Sequence, residues 1–365
     1  MTTPDVMPRA TEEIDEIVSL IQVLLDKGHA YRTEDGSIFF RISSWPAYGV
    51  LARLDPEQMR VGERVEADEY AKDDVRDFAL WKGPKPGEPS WETAIGPGRP
   101  GWHIECSAMS MHHLGQSFDI HTSSVDLIFP HHEDEIAQSE AATGKTFVRT
   151  WLHCAHLQMR GAKMAKSAGN VARVGELLES GIEPRALRYA LISVHYRAGL
   201  SYTPDSLAAA AAAIDRLDAL IAALAAYREE RADNPDLASL LDGARAAFDA
   251  ALDDDLNISA ALGALFDLVR EVNRRLDART LSTADAGTIT AWLRRLDAVL
   301  GVLPDEDEAL DEDLRHLLDE RLAARARKDW AASDRLRDEL IDRGIAVEDT
   351  RDGQRWRRLV EAGRG

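Results

Sequence analysis

The sequence contains little cysteine and no long apolar run. Its 365 residues include two cysteines, Cys106 and Cys154, which are too few for a disulfide framework and predict a reducing, cytoplasmic environment. No run of about 18 apolar residues occurs, and residues 1–10 lack the apolar core of a signal peptide. We therefore expect a soluble protein and neither a disulfide-stapled secreted domain nor a helical membrane protein.

Positive charge is scarce overall but concentrated near the C-terminus. The formal net charge of −20 at pH 7 argues against a protein that coats nucleic acid nonspecifically. From residue 321 to 358, in contrast, 11 Lys and Arg stand against 8 Asp and Glu, directly after the acidic segment 304–320. This reversal predicts a domain boundary and a local patch for nucleic acid, although a solvated helical face has the same composition.

Apolar spacing and turn residues predict an α/β region in the first part of the chain. We predict helices over residues 11–28 and 131–143, the second entered through Pro130, and a Gly/Pro-rich loop over 81–101. The predicted strands are 37–42, a buried segment at 102–104, 118–120 and 126–129. Short strands that alternate with helices predict a parallel α/β core.

Helices dominate the later part of the sequence. Apolar residues at three- and four-residue spacing predict short helices over 174–178 and 184–193, then an antiparallel bundle from 205 to about 303. A small C-terminal unit is predicted to contain one helix over 311–343 and a strand over 345–349.

Chemistry-bearing side chains cluster in residues 101–170, which hold both cysteines and 8 of the 11 histidines. His131 and Glu135 lie four residues apart on a predicted helix, so both can reach one ion, and Cys106 offers a soft thiolate. Three protein ligands with an open fourth position predict a catalytic zinc site. The spacing alone leaves another interpretation open, in which Cys106 belongs to the core and residues 131–135 form a charged helix start.

Two lysines three residues apart, Lys163 and Lys166, lie between glycines in the segment 161–169. Such a loop can close on a polyphosphate and bring ammonium groups to charge that develops in a transition state. The segment matches neither the Walker A pattern nor G-x-G-x-x-G. A surface loop with chance lysines is the alternative.

Four further residues flank the predicted zinc ligands and could form the wall of a small pocket. An aromatic and imidazole wall suits a compact substrate, although each residue alone is also explained by core packing. These residues are Trp102, His103, His121 and Asp126.

Taken together, these segments resemble the cysteinyl-tRNA synthetases, a family of class I synthetases. The resemblance rests above all on GWHIECSAM (101–109), FPHHEDE (129–135) and GAKMAKSAGN (161–170), the last of which resembles the KMSKS signature. It implies a partial Rossmann-like α/β catalytic domain, an α-helical bundle and a small α+β C-terminal unit. The implied domains are 1–100, with an inserted connective region; 101–204, with the KMSKS-like loop; 205–303, the tRNA-binding bundle; and 311–365, the anticodon-binding unit.

The resemblance implies a cysteine–tRNA ligase whose partners are cysteine, ATP and tRNA(Cys) and whose cofactor is zinc. In this family the zinc binds the thiol of the substrate, which separates cysteine from serine. Lys163 and Lys166 match the KMSKS lysines, and Lys166 would stabilise the pyrophosphate that leaves ATP. The matched zinc ligands are Cys106, His131 and Glu135, and the matched cysteine-pocket positions are Trp102 and His121.

For tRNA, the resemblance implies that the C-terminal unit meets the anticodon. Arginine and aspartate can pair with the base edges of a splayed loop, and tryptophan can stack on a base. Helix-face ion pairs would use the same residue types. The candidates are Arg325, Trp330, Asp334 and Arg337.

The sequence departs from the family pattern in three ways. HTSS (121–124) stands in place of HGGG, KMAKS (163–167) in place of KMSKS, and no H-x-G-H motif occurs. That motif and a fourth zinc ligand belong to the first half of the nucleotide-binding fold, so we expect either a true start upstream or a truncated relative. The alternatives to a cysteine–tRNA ligase are a non-catalytic paralogue that binds tRNA or protein and a ligase that joins cysteine to an amino sugar in mycothiol synthesis.

Overall fold

The computed structural model describes residues 3–54, 76–159, 162–164, 169, 171–304, 312–350 and 353–358. This part of the chain is mixed α/β at first and mainly helical after β9, defined below, as the sequence predicts. None of the helices in these ranges has the length and apolar character that a bilayer crossing requires.

The first helix, α1 (Ile14–Asp26), shares an apolar core with a small antiparallel sheet. The strands are β1 (Ala30–Arg32), β2 (Ile38–Phe40), β3 (Phe78–Lys82) and β4 (Arg99–Pro100), paired in that order. The residues of α1 that are buried lie three and four apart, as a helix of about 3.6 residues per turn requires. They are Ile14, Ile17, Leu20, Ile21 and Leu24. The predicted helix over 11–28 and strand over 37–42 are confirmed with shorter bounds.

A helix, α2 (Trp102–Leu114), stands where the sequence predicted a buried strand at 102–104. That prediction was wrong because Ile104 and Ala108, four residues apart, are buried on one helical face. Gly101 precedes the helix, and a Cβ atom there would lie 2.1 Å from the carbonyl oxygen of Ala79. Glycine therefore allows the chain to turn from β4 into α2.

The predicted parallel core is present as two strands, β5 (Phe118–Ser124) and β6 (Val148–Cys154). A crossover through α3 (Glu133–Thr143) joins them, which is a βαβ connection. The strand predicted at 126–129 is wrong, since residues 125–132 form irregular helical turns in which Phe129 is extended. Pro130 explains the extended residue, because the position before proline disfavours the α conformation.

A second small sheet follows, with the strands β7 (Leu157–Met159), β8 (Ala162–Lys163) and β9 (Leu200–Tyr202). Its order is β8-β7-β9, and β7 runs parallel to β9. Between β8 and β9 lie α4 (Val174–Glu179) and α5 (Pro184–Ile192), which confirms the two short helices predicted there.

The predicted bundle consists of four long helices. They are α6 (Pro204–Ala226), α7 (Leu237–Asp253), α8 (Ile258–Asp277) and α9 (Thr283–Leu300). Leu217, Leu265 and Leu296 belong to their shared core. Thr203 and Ser282 begin α6 and α9 with capping boxes, in which a side-chain oxygen accepts a backbone N–H of the first turn.

Two arginines of α5 bind the bundle. Arg185 donates to both carboxylate oxygens of Asp218, at 2.7 and 2.8 Å. Arg188 donates to the carbonyl oxygens of Val299 and Leu300 at the end of α9. The guanidinium of Arg188 thus satisfies carbonyls that have no partner within their own helix.

The C-terminal unit has two helices where the sequence predicted one. These are α10 (Glu312–Ala326) and α11 (Trp330–Asp342), separated at Lys328, which has a φ of 60°. Asp329 begins α11 by accepting the N–H of Ala332 at 3.1 Å, a position that aspartate favours. The predicted strand is confirmed as β10 (Ile345–Thr350), which pairs antiparallel with β11 (Gly353–Arg358).

Candidate metal centre

The three residues predicted as metal ligands come together between α2 and α3. Cys106 lies in the second turn of α2, His131 in the irregular turn before α3, and Glu135 in the first turn of α3. One ligand atom from each residue lies within 4.8 Å of the other two. This separation is small enough for one ion to contact all three atoms.

Glu135 is fully buried and faces two imidazoles. Its Oε1 lies 2.7 Å from Nε2 of His131, and its Oε2 lies 3.0 Å from Nε2 of His121. Burial would raise the pKa of the Glu135 carboxyl, but the two imidazoles outweigh it and hold this pKa at about 2. Within the described ranges neither oxygen accepts a hydrogen bond of ordinary geometry. An anionic carboxylate whose buried oxygens lack such a donor fits a bound cation.

Cys106 completes this set with a sulfur atom. Burial, together with the carboxylates of Glu135 and Glu105, raises the pKa of the Cys106 thiol to about 12. The thiol is therefore neutral unless a cation stabilises the thiolate, and metal binding to it would release a proton. Thiolate, imidazole and carboxylate are all zinc ligands, so the residues present fit a zinc ion.

A second group of possible ligands shares Glu135. Ligand atoms of His121, His132 and Glu135 also lie within 4.8 Å of one another. His132 is fully buried, and burial lowers its pKa to about 3. Its Nδ1 lies 2.8 Å from Nε2 of His153. Sequence analysis missed His132 and His153, although the His131-His132 doublet was a visible signal.

The predicted pocket wall is only partly assembled around this centre. Trp102 is 60% exposed, and its ring centroid lies 4.6 Å from that of His131. His121 stacks on Trp151 with centroids 4.8 Å apart. Asp126 contacts Ser124 and lies 3.9 Å from His156. Trp102 and His121 therefore flank the centre from two sides.

The segment after β2 is fastened to the start of α3. The carboxylate of Glu133 accepts the backbone N–H groups of Gly49 and Ala52, at 2.9 and 2.6 Å. The hydroxyl of Tyr48 donates to Oδ1 of Asp134 at 2.5 Å. The roles of Tyr48, Glu133 and Asp134 are not visible in the sequence, because the partners of these residues lie more than 80 residues away in the chain.

The predicted lysine loop is only partly described. The backbone of Lys163 lies in β8 and pairs with that of Gln158. Lys166 lies outside the described residues. The role of both lysines stays a prediction.

Two of the four predicted anticodon residues share a surface of the C-terminal unit. The guanidinium of Arg325 lies 5.5 Å from the ring centroid of Trp330, which is 56% exposed. Asp334 and Arg337 form an ion pair on α11 at 3.4 Å. An exposed aromatic ring beside a cation suits base stacking, and the contact with tRNA stays a prediction.

Three family models match consecutive parts of the chain. Residues 1–212 match the tRNA synthetases class I (C) catalytic domain, residues 247–304 the DALR domain, and residues 307–357 the cysteinyl-tRNA ligase anticodon binding domain. Among solved structures, Mycobacterium tuberculosis methionyl-tRNA synthetase bound by methionyl-adenylate has a TM-score of 0.54 at 16% identity, covering 76% of this chain and 67% of that one. This likeness concerns the fold alone.

Curated relatives are similar along almost the whole chain. A cysteine–tRNA ligase of Koribacter versatilis is 42% identical over 97% of this chain and 78% of the relative. One of Chlamydia muridarum is 44% identical over 97% and 77%. Since the catalytic family model spans more than half of the sequence and these relatives match nearly all of it, the chain belongs to the cysteine–tRNA ligase family of class I aminoacyl-tRNA synthetases.

Proposed function

We propose that the chain is a cysteine–tRNA ligase, which activates cysteine with ATP to cysteinyl-adenylate and transfers the cysteinyl group to tRNA(Cys) in the cytoplasm. One observation carries this proposal: the ligand atoms of Cys106, His131 and Glu135 lie within 4.8 Å of one another in a chain whose relatives are cysteine–tRNA ligases. A soft-metal centre is the chemistry that recognises a thiol.

Cys106, His131 and Glu135 would hold the cofactor of this enzyme. A zinc ion bound there supplies an open coordination position that a thiol fills far better than a hydroxyl. The buried carboxylate of Glu135 contributes negative charge, and its two imidazole neighbours keep it ionised. The three side chains thereby select cysteine over serine without a separate editing site.

The pocket residues would enclose and orient the substrate. Trp102 leans over His131, and His121 stands between Glu135 and Trp151. Aromatic and imidazole rings on two sides would leave room for a compact side chain between them. Each ring has few rotatable bonds, so the substrate is held at low cost in conformational entropy.

Lys163 and Lys166 would act on the other substrate, ATP. The cysteine carboxylate attacks the α-phosphate, and pyrophosphate leaves with growing negative charge. Ammonium groups brought by the 161–169 loop would stabilise that charge. Since arginine supplies 36 of the 44 basic residues of the chain, two lysines within four positions favour a specific role.

The tRNA would contact the later domains. We propose the division 1–100, 101–204, 205–303 and 311–365, with the last two domains reaching from the acceptor arm to the anticodon. Arg325 and Trp330 would meet an unstacked base, and the ion pair of Asp334 with Arg337 would present base-edge donors and acceptors beside them.

The test is cysteine-dependent exchange between ATP and pyrophosphate, followed by charging of tRNA(Cys), both assayed on this chain. We expect exchange with cysteine and about 10⁴-fold less with serine. Charging of tRNA(Cys) should require ATP. Absence of cysteine-dependent exchange together with absence of charging would contradict the proposal.

A second candidate function is tRNA binding without catalysis. One observation favours it, namely the exposed ring of Trp330 beside the guanidinium of Arg325, which can stack on a base without any catalytic step. The same experiment separates the two functions, because a non-catalytic binder retains tRNA(Cys) without exchange. An amino-sugar ligase would show exchange without tRNA charging, and the match of residues 307–357 to an anticodon binding domain disfavours it.

A further inference from the structure

Behind His131 lies a chain of polar contacts that the function proposed above does not use. Nδ1 of His131 lies 2.6 Å from Nδ1 of His103. Nε2 of His103 lies 3.2 Å from Oδ2 of Asp134. The other oxygen of Asp134, Oδ1, accepts the hydroxyl of Tyr48 at 2.5 Å. Three side chains, one each from α2, α3 and the segment after β2, therefore form a chain of contacts that ends at the nitrogen of His131 that faces away from Glu135.

The contacts fix how the ring of His103 lies. The Asp134 side chain is 1% exposed, and its Oδ2 faces Nε2 of His103. The other nitrogen of the same ring, Nδ1, faces Nδ1 of His131. Because the ring of His103 has a polar partner at each nitrogen, it can hold the ring of His131 with Nε2 toward Glu135.

The geometry on the Glu135 side agrees with this orientation. Nε2 of His131 lies 2.7 Å from Oε1 of Glu135. Ligand atoms of these two residues and of Cys106 lie within 4.8 Å of one another, so the ring that His103 contacts from behind faces the metal centre in front.

We propose that His103 is a positioning residue, which, held by Asp134 and Tyr48, keeps the ring of His131 in the orientation that binds the metal ion. This inference rests on the metal centre of the proposed function. An imidazole ligand commonly donates its second nitrogen to an outer acceptor, and that acceptor orients the ring and raises its basicity. Here the outer residue is itself an imidazole that contacts a buried carboxylate. Asp134 therefore acts on His131 through the ring of His103.

The positions in the sequence support this role. His103 stands three residues before Cys106 on α2, and Asp134 directly precedes Glu135 on α3. Each metal-ligand segment therefore contributes one residue to the outer chain of contacts. Tyr48 connects the same chain to the segment after β2, and its contact with Phe78, at 6.3 Å between ring centroids, holds the phenol in place.

The test measures binding of Zn²⁺ alone, by competition with a chromophoric chelator, and the visible spectrum of the Co²⁺-loaded chain. His103→Phe keeps a ring but removes the acceptor, and we expect about 10- to 100-fold weaker zinc binding and a changed Co²⁺ spectrum. His103→Asn puts an amide oxygen near the position of Nδ1, and we expect it to recover most of the affinity. His316→Phe, which changes an exposed histidine of α10 beside Glu320, is the control and should bind zinc like the parent chain.

Two results would overturn the inference: unchanged zinc affinity and Co²⁺ spectrum in His103→Phe, or equal loss in the folded Phe and Asn variants, which would indicate packing alone. If His103→Phe does not fold, Asp134→Asn tests the same chain of contacts, because it replaces the carboxylate that faces His103 with an amide. Unchanged binding in that variant would also contradict the inference. If the parent chain binds neither Zn²⁺ nor Co²⁺, the metal centre of the proposed function is contradicted as well. The results named above for the variants contradict only the role of His103 and leave the proposed function intact.

Discussion

Nε2 of His131 lies 2.7 Å from Oε1 of Glu135, and both side chains are buried one helical turn apart. Burying a carboxylate costs free energy unless a positive or polar partner compensates. His121 approaches the other oxygen of the same carboxylate at 3.0 Å. The negative charge is therefore built into the fold before any cation binds, which makes the centre preorganised.

Cys106→Ala should remove zinc from the chain. It deletes the one sulfur ligand of the centre, so we expect zinc affinity to fall by more than the roughly 10- to 100-fold that follows loss of an outer contact, and cysteine-dependent exchange to disappear. Metal analysis after dialysis checks this. Cys154→Ala changes an exposed cysteine and should retain zinc. A Cys106→Ala chain with full zinc and full exchange would show that the metal is elsewhere.

Lys166→Ala should slow formation of the adenylate. Loss of one positive group at the leaving pyrophosphate is expected to reduce the rate by about 10²- to 10³-fold, with little change in cysteine affinity. Single-turnover measurement with saturating ATP checks both quantities. Lys145→Ala, in the turn after α3, is the matched control. Equal rates in the parent chain and the Lys166→Ala variant would refute the leaving-group role.

Trp330→Ala should weaken tRNA binding without affecting cysteine activation. Stacking of one base on an aromatic side chain contributes about 1–3 kcal/mol, so we expect about 5- to 150-fold loss of affinity for tRNA(Cys). Filter binding and pyrophosphate exchange measure the two effects separately. Leu322→Ala removes another exposed apolar side chain, on α10, and should bind normally. An unchanged affinity for tRNA(Cys) in Trp330→Ala would show that Trp330 does not contact the anticodon.

Arg321→Ala should destabilise the C-terminal unit. The Arg321 side chain is 1% exposed and binds both Asp349 and Gln354, whereas Arg325 is 32% exposed and shares Asp349. Removing the buried guanidinium leaves Gln354 without its donor, whereas Asp349 keeps Arg325, so we expect a cost of about 1–3 kcal/mol; Arg325→Ala should cost less than about 1 kcal/mol. Hydrogen exchange of β10 and β11 measures the difference, and similar protection in both variants would contradict it.

Asp255→Asn should change stability in a pH-dependent way. Hydrogen bonds from Arg197 and Tyr196 hold the pKa of the Asp255 carboxyl at about 2. A depressed pKa in the folded state adds stability above the ordinary pKa of aspartate, and this stability is lost as the pH falls toward 2. We therefore expect the variant to be less stable than the parent at pH 6 and the difference to shrink between about pH 4 and 2. Urea titrations across this range, with Asp254→Asn as control, measure it; a constant difference would exclude the ion pair as its cause.

Elements that depend on local pattern were predictable from the sequence. The apolar spacing in α1 and in the bundle is a property of each helix alone, so their positions follow without knowledge of neighbours. The strand predicted at 102–104 failed because a three-residue apolar segment does not distinguish helix from strand, and the close approach of Gly101 to Ala79 is invisible in the sequence. The break at Lys328 was equally hidden inside a continuous polar pattern.

The centre shows the same limit. Cys106, His131 and Glu135 were selected from residue type and spacing, and they do converge. His103 was considered only as a wall residue, since its role depends on Asp134 and Tyr48, and Tyr48 reaches the centre from 86 residues away. Spacing predicts that His131 and Glu135 are neighbours, whereas the outer contacts depend on the tertiary fold.

The contacts of α5 with the bundle show that the family boundary does not coincide with the end of a unit that could fold alone. The catalytic family model ends at residue 212, inside α6. Arg188, however, donates to the carbonyl oxygen of Leu300 at the end of α9, 112 residues further along the chain. A fragment that begins after residue 212 would contain α9 and Asp218 but neither arginine. The last carbonyls of α9 would then lack the guanidinium of Arg188, and Asp218 would lack Arg185. Heat should accordingly melt the region from α5 to α9 in one cooperative transition.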